Sequence, residues 1–112
     1  MVDAMVLLDA QGPSQLSADF ESPADGSVMF VLSGTAWTQN APCLVGINLL
    51  LDGQVIGEAM CFANQSANHQ ALRSTFIIFD NMTIGEHSIA IGPANTNTVI
   101  DQNDYFQVTL IF

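Results

Sequence analysis

Apolar and polar residues alternate along most of this chain, in short runs separated by Gly, Pro, Asn and Asp. A period of two is typical of β-strands, and no segment sustains the 3.6-residue period of a helix. The predicted strands are Ala4–Asp9, Gln15–Phe20, Ser27–Trp37, Cys43–Leu50, Gln54–Phe62, Ala71–Asp80, Glu86–Ile91, Thr98–Ile100 and Tyr105–Phe112. The chain is therefore predicted to be all-β.

The strands around Asp52-Gly53 are predicted to form a hairpin, whose register decides which residues face one another. A three-residue loop over 51–53, with Gly53 in the left-handed conformation, would pair Leu50 with Gln54 and align two apolar faces. The opposed pairs would then be Leu49/Val55, Ile47/Gly57, Val45/Ala59 and Cys43/Cys61. Facing cysteines admit either a disulfide or two buried free thiols, and no C-x-x-C spacing indicates a zinc site.

Two strands carry apolar residues on both faces. In Ser27–Trp37, Val28, Phe30 and Leu32 alternate with Met29 and Val31. In Ala71–Asp80, alternation predicts a core face of Leu72, Phe76 and Ile78 and an outer face of Ile77 and Phe79. Without a helix to cover the second face, a neighbouring subunit is the predicted cover, at an interface containing Met29, Val31, Ile77 and Phe79.

Length and charge limit the function classes. At 112 residues the chain is predicted to be one domain, 1–112, with a single core. Eleven acidic residues against one basic residue, Arg73, give a formal charge of −10. Such a surface repels phosphate backbones and anionic headgroups, so neither nucleic acid nor a membrane is an expected partner.

The amino-terminal stretch shows no secretory signal, because it carries acidic residues where basic ones are expected and its apolar run, 4–8, is short. No stretch approaches the roughly 18 apolar residues of a membrane span. We therefore expect a soluble protein, cytoplasmic at synthesis or associated with a virus particle.

Four segments resemble the jelly-roll modules of the tumour-necrosis-factor and complement-globular-head type, which also occur in bacterial proteins and at phage tail-fibre tips. The segments are F-V-L-S-G-T-A-W from Phe30, C-L-V-G-I-N-L-L-L-D-G-Q-V-I-G from Cys43, S-T-F-I-I-F-D-N-M-T-I-G-E-H-S-I-A-I from Ser74 and D-Y-F-Q-V-T-L-I-F from Asp104. The most specific element is the alternation of Gly85, His87, Ile89 and Ile91. The resemblance implies a two-sheet antiparallel sandwich, a homotrimer with a hydrophobic interface, and recognition of proteins or glycans without catalysis.

The loop before the last strand offers oxygen ligands. Asp101, Asn103 and Asp104 lie within a few residues, and Ca²⁺ is bound by oxygen atoms of this kind. The spacing does not match an EF-hand, because Tyr105 occupies the fifth position and no Gly follows. A calcium site and a turn that starts the last strand are therefore the two interpretations. No other cofactor is expected.

A second set of residues suits sugar recognition. Aromatic faces stack on sugar rings, and amides supply paired donors and acceptors. The candidates are Trp37, Asn40, Asn64, Gln65 and Asn68. No catalytic residues are predicted, because the chain has no nucleophile elbow and its His87 alternates with isoleucines. The sequence thus favours a non-enzymatic assembly or surface-recognition module, with a small lectin-like protein, calcium-dependent or not, as the alternative.

Overall fold

The computed structural model describes residues 2–13 and 16–112, and within them it shows two antiparallel β-sheets packed face to face. The strands are β1 (Ala4–Gln11), β2 (Leu16–Ser22), β3 (Gly26–Ala36), β4 (Cys43–Leu51), β5 (Gln54–Ala63), β6 (Gln70–Ala71), β7 (Thr75–Met82), β8 (Gly85–Pro93) and β9 (Tyr105–Ile111). The all-β prediction is confirmed. The predicted strand start at Gln15 lies outside the described residues, and Thr98–Ile100 forms only an isolated bridge between Val99 and Trp37.

The order of the strands is that of a jelly roll. The first sheet runs β1-β9-β3-β7, with β6 pairing the end of β3 on the same side as β7. The second sheet runs β2-β8-β4-β5. Because most consecutive strands lie in opposite sheets, the chain crosses repeatedly between them and encloses one layer of side chains.

The core lies between the two sheets, where the strands contribute every second residue. The fully buried aliphatic and aromatic side chains include Phe30, Leu32, Val108 and Leu110 of the first sheet and Val45, Ile47 and Leu49 of the second. Ile89, Ile91 and Phe106, which alternation also assigns to the core, are buried as expected.

The turn between β4 and β5 differs from the predicted one. It has two residues, Asp52 with φ 51° and Gly53 with φ 85°, and it pairs Leu51 with Gln54. Positive φ at both positions is the type I′ geometry that Asp-Gly favours in hairpins. A bulge between Leu49 and Leu50 then restores the alignment of the two core faces that the sequence predicts.

The bulge also moves the cysteines out of opposition. Cys43 faces Ala63, and Cys61 faces Val45, so the predicted Cys43/Cys61 pairing is wrong and the register is offset by two residues. Both thiols are free and half-buried. The free-thiol interpretation therefore describes this structure, and the disulfide does not.

The predicted face assignment of β7 is wrong. Ile77 is buried opposite Phe30, and Phe79 packs partly against the core, whereas Phe76 and Ile78 are 67% and 70% exposed. The reason is that both faces of this strand are apolar, so alternation alone could not choose between them. Pairing with β3 determines which face of β7 is buried. Ile77 and Phe79 therefore do not lie on the outer face to which the interface prediction assigned them.

Candidate functional site

Three connections meet at one end of the sandwich, and we call this region the three-loop end: residues 37–42, 64–69 and 94–104. The Ala67 N–H donates to the Thr38 carbonyl at 2.8 Å, and the Ala41 N–H donates to the Ser66 hydroxyl at 3.1 Å. Trp37 and Val99 exchange two backbone hydrogen bonds at 3.1 and 2.7 Å. These contacts hold residues from distant parts of the sequence in one region.

At its centre lies His69, which contacts two carboxylates and an aromatic ring. Its Nδ1 lies 2.7 Å from Asp104 Oδ1, and its Nε2 lies 3.8 Å from Asp101 Oδ2. The Trp37 indole packs beside the imidazole, with ring centroids 5.7 Å apart and planes tilted by 42°. The indole N–H also donates to Asp101 Oδ2 at 3.1 Å, so one aromatic side chain orients both the histidine and the carboxylate.

Asp104 is fully buried, and its carboxylate is held by several donors. The Thr35 hydroxyl donates to Oδ1 at 2.8 Å, and the Asp101 N–H donates to Oδ2 at 2.9 Å. Together with His69 Nδ1, these groups satisfy both oxygens, as a buried carboxylate requires. The orientation of His69 is therefore set by a rigid partner.

The segment Asp101–Asp104 is also a turn, as one interpretation of the sequence holds. Asp101 Oδ1 accepts the Asn103 N–H at 2.8 Å, and the Asp101 carbonyl accepts the Asp104 N–H at 3.0 Å. The Asn103 side chain is exposed. The structure thus groups Asp101 and Asp104 with His69, a residue that sequence reasoning missed because it lies in a polar loop more than thirty positions away.

The predicted sugar-contacting residues lie in the same region. Trp37 is half-buried at its centre, and Asn40, Asn64, Gln65 and Asn68 are exposed in the two adjoining connections. The Asn40 N–H donates to the Thr38 hydroxyl at 3.1 Å, which tightens the connection after Trp37. The five residues share one end of the molecule although they come from two separate loops.

A second His–Asp pair lies at the opposite end of the β4–β5 hairpin. His87 Nδ1 lies 2.6 Å from Asp52 Oδ2, while His87 Nε2 lies 2.7 Å from the Thr83 carbonyl and 3.1 Å from its hydroxyl. The Ser88 N–H donates to Asp52 Oδ1 at 2.9 Å. A carbonyl accepts but cannot donate, so Nε2 carries a proton here and is occupied as a donor.

The two pKa values in this pair move in opposite directions. The hydrogen bond with Asp52, and next the one with the Thr83 carbonyl, raise the pKa of His87 above its usual 6.5. Burial acts to raise the pKa of Asp52, but the hydrogen bonds from His87 and Ser88 outweigh it and leave that pKa below its usual 3.8. When His87 is protonated, the pair forms a salt bridge that ties the hairpin turn to the start of β8.

A separate cleft of about 660 Å³ lies between β2, β8 and residues 98–100. Its lining is mainly aliphatic and includes Leu16, Leu50, Ile91, Val99 and Ile100. None of the residues in the two His–Asp clusters contributes to it.

Within residues 2–13 and 16–112, no helix has the length and apolar character needed to cross a membrane.

The sequence matches no protein-family model and no curated protein, but the fold is similar to known structures. Dimeric latent PorU from Porphyromonas gingivalis matches with a TM-score of 0.62 and 12% identity, over 98% of this chain and 12% of that one. The tripod from the baseplate of bacteriophage Tuc2009 matches with a TM-score of 0.61 and 14% identity, over 96% of this chain and 62% of that one.

A third similar structure is the CBM36-1 domain of a multidomain xylanase from the hindgut metagenome of Trinervitermes trinervoides. It matches with a TM-score of 0.50 and 11% identity, over 98% of this chain and 97% of that one. This chain spans only part of the PorU and baseplate chains. At such identities the similarity concerns the fold: it confirms the β-sandwich and leaves the tumour-necrosis-factor-type resemblance a prediction.

Proposed function

We propose that this chain is a non-enzymatic assembly module that packs the outer face of its first sheet against further copies of itself. The observation that carries the proposal is an apolar surface on that face, which we call the apolar face. It consists of Val6, Met29, Val31, Phe76, Ile78 and Ile111.

Strand pairing makes the apolar face continuous. One row across the sheet runs Ile111, Met29, Ile78, and the adjacent row runs Thr109, Val31, Phe76 and includes Val6 on β1. Val6, Phe76 and Ile78 are 57%, 67% and 70% exposed. Contiguous exposed apolar residues on several neighbouring strands are typical of protein–protein interfaces rather than of a solvated sheet surface.

The charge distribution favours a second copy as the occupant. The two rows contain no charged side chain, so covering them costs no desolvation of an ion. The rest of the surface is strongly acidic, with a formal charge of −10, and copies repel one another outside the apolar face. Association should therefore strengthen as salt screens that repulsion.

Two further points support the proposal. The fold is similar to the tripod of a phage baseplate, and the family resemblance implies a homotrimer with a hydrophobic interface. The stoichiometry of three is accordingly part of the proposal. The absence of catalysis is also part of it, and a sequence without a nucleophile elbow supports this.

Light scattering coupled to size-exclusion chromatography, repeated over a concentration and salt series, tests the proposal. The wild-type chain should elute as an oligomer, and the double variant Phe76→Ser/Ile78→Ser should elute as a monomer with unchanged circular dichroism. Val55→Ser is the matched control, since Val55 is 57% exposed but lies on the second sheet. A wild-type monomer at every concentration and salt would refute the assembly proposal.

The alternative is carbohydrate binding at the three-loop end, and the specific observation favouring it is the position of Trp37 among exposed amides. Similarity in fold to the CBM36-1 domain of a xylanase adds support. A glycan array, with and without calcium, should then give a signal that Asn64→Ala and Asn68→Ala weaken and that Phe76→Ser/Ile78→Ser does not. Silence across the array under both conditions counts against this alternative.

A further inference from the structure

We infer that His69 and Asp101 form the protein side of a binding site for a first-row divalent transition-metal ion of the Zn²⁺ class, with Asp104 positioning His69. The inference concerns the three-loop end and does not depend on assembly through the apolar face. It also differs from the calcium interpretation of Asp101, Asn103 and Asp104, because the cluster contains the imidazole of His69 and not the side chain of Asn103.

The distance between the two proposed ligand atoms fits one ion. Zn²⁺ binds His nitrogen and carboxylate oxygen at roughly 2.0–2.2 Å. His69 Nε2 and Asp101 Oδ2 are 3.8 Å apart, so an ion between them at those lengths would subtend an angle of about 130°. Small side-chain rotations would bring that angle to the tetrahedral value, and the Asp104 carboxylate oxygen lies in the same cluster.

The orientation of His69 leaves the correct nitrogen available. Nδ1 lies at 2.7 Å from the buried Asp104 carboxylate, which accepts its proton and fixes the tautomer with the lone pair on Nε2. No described residue within 2–13 and 16–112 forms a hydrogen bond with Nε2. A carboxylate on the far nitrogen is the arrangement that orients metal-binding histidines and makes them more basic.

Partners outside the metal shell also restrain Asp101. The Trp37 indole N–H donates to Oδ2, and the Asn103 N–H donates to Oδ1. The carboxylate keeps a defined direction without a cation in contact, because the chain's one basic residue other than histidine, Arg73, forms no ion pair with it among the described residues. A divalent ion would supply the missing positive charge.

The ligand types select the class of ion. Ca²⁺ takes six to eight oxygen ligands, whereas imidazole suits Zn²⁺, Ni²⁺ and Cu²⁺. The side chains of His69 and Asp101 are 35% and 30% exposed, so the remaining coordination positions face solvent. The ion would therefore be held by few protein atoms, with open positions for water or an oxygen of a bound molecule.

Isothermal titration with ZnCl₂, and the visible absorption of Co²⁺ as a spectroscopic substitute, test the site on the full chain. One ion should bind per chain, and His69→Gln and Asp101→Asn should each weaken binding at least about tenfold. Asp104→Asn should weaken it by roughly 10–100-fold, as expected for a residue that orients a ligand. CaCl₂ should bind more weakly than ZnCl₂, and His69→Gln should leave calcium binding unchanged.

The matched control is His87→Gln, because that histidine also contacts an aspartate but has Nε2 occupied by the Thr83 carbonyl. It should bind Zn²⁺ as the wild type does. Because Asp104 is buried, its substitution can also affect folding. The test therefore rests on His69→Gln and Asp101→Asn, whose side chains are partly exposed, and circular dichroism checks the folding of each variant. The inference is refuted if the wild type binds no Zn²⁺, or if His69→Gln and Asp101→Asn bind it with unchanged affinity.

Discussion

The side chain of Ile77 in the first sheet occupies the space beside Gly57 in the second. A β-carbon at position 57 would lie 2.5 Å from Ile77 Cδ1 and 2.7 Å from Ile77 Cγ1. Gly57 follows the bulge in the β4–β5 hairpin and faces Leu49 across it. The two sheets approach closely at this point because position 57 has no side chain, which gives the inward-facing Ile77 of β7 its place in the core.

We therefore predict that Gly57→Ala destabilises the fold although alanine normally suits a strand better than glycine. Overpacking of this kind typically costs about 1–3 kcal/mol. Gly92→Ala is the control, because a β-carbon there would have no atom within 4 Å. Urea unfolding of both variants measures the difference. In a double-mutant cycle, Ile77→Val should recover part of the loss, and strict additivity would contradict the contact.

The Asp52–His87 pair predicts a pH-dependent contribution to stability. A raised folded pKa of His87 means that its contribution is complete below the usual 6.5 and is lost as the pH rises through the folded value. A lowered pKa of Asp52 means that its contribution is complete above 3.8 and is lost as the pH falls through the folded value. The pair should therefore stabilise the fold most between these two limits.

Chemical denaturation at pH 5 and pH 8.5 measures this effect. The free energy of unfolding of the wild type should exceed that of His87→Gln by more at pH 5 than at pH 8.5, by about 0.2–1 kcal/mol for a partly exposed pair. Asp52→Asn keeps the turn, since Asn also accepts positive φ. It should reduce the pH-dependent difference without removing it, because the Thr83 carbonyl still raises the pKa of His87. An equal difference at both pH values would show that the pair is not a salt bridge in solution.

The offset of the two cysteines predicts that they do not bridge within one chain. Cys43 faces Ala63 and Cys61 faces Val45, and burial raises the pKa of the Cys61 thiol, which lowers its thiolate fraction and slows oxidation. Thiol titration of the unfolded protein after mild air oxidation should count two free thiols per chain. Intact-mass measurement distinguishes the alternative, because an intramolecular disulfide would lower the mass by two hydrogens.

The sequence of β7 does not determine which of its faces is buried. Phe76, Ile77, Ile78 and Phe79 are consecutive and apolar, so a strand built from them can turn either face inward at similar local cost. The deciding contacts are distant in sequence: Phe30 opposite Ile77, and Gly57 across the core. The apolar face on the outside was predictable as a property of the strand, but not the residues that form it.

The hairpin shows a related limit. Asp52-Gly53 is a strong local signal for a two-residue turn, and alternation correctly assigns Val45, Ile47 and Leu49 to the core. A continuous ladder from that turn would misalign the two apolar faces, and for this reason the alternation alone favours a three-residue loop. The chain reconciles both signals with a bulge, and only packing against the other sheet determines where the extra residue goes.

The sequence by itself determined the all-β class, the approximate strands and the acidic surface, and it identified residues near Trp37 and Asp101 whose side chains suit binding. These features follow from alternation and side-chain chemistry, which are local properties. Tertiary structure alone decided which face of β7 is buried, that the cysteines are offset, and that His69 joins Asp101 and Asp104. These depend on contacts between residues far apart in the chain, which form only when the two sheets pack and the three loops meet.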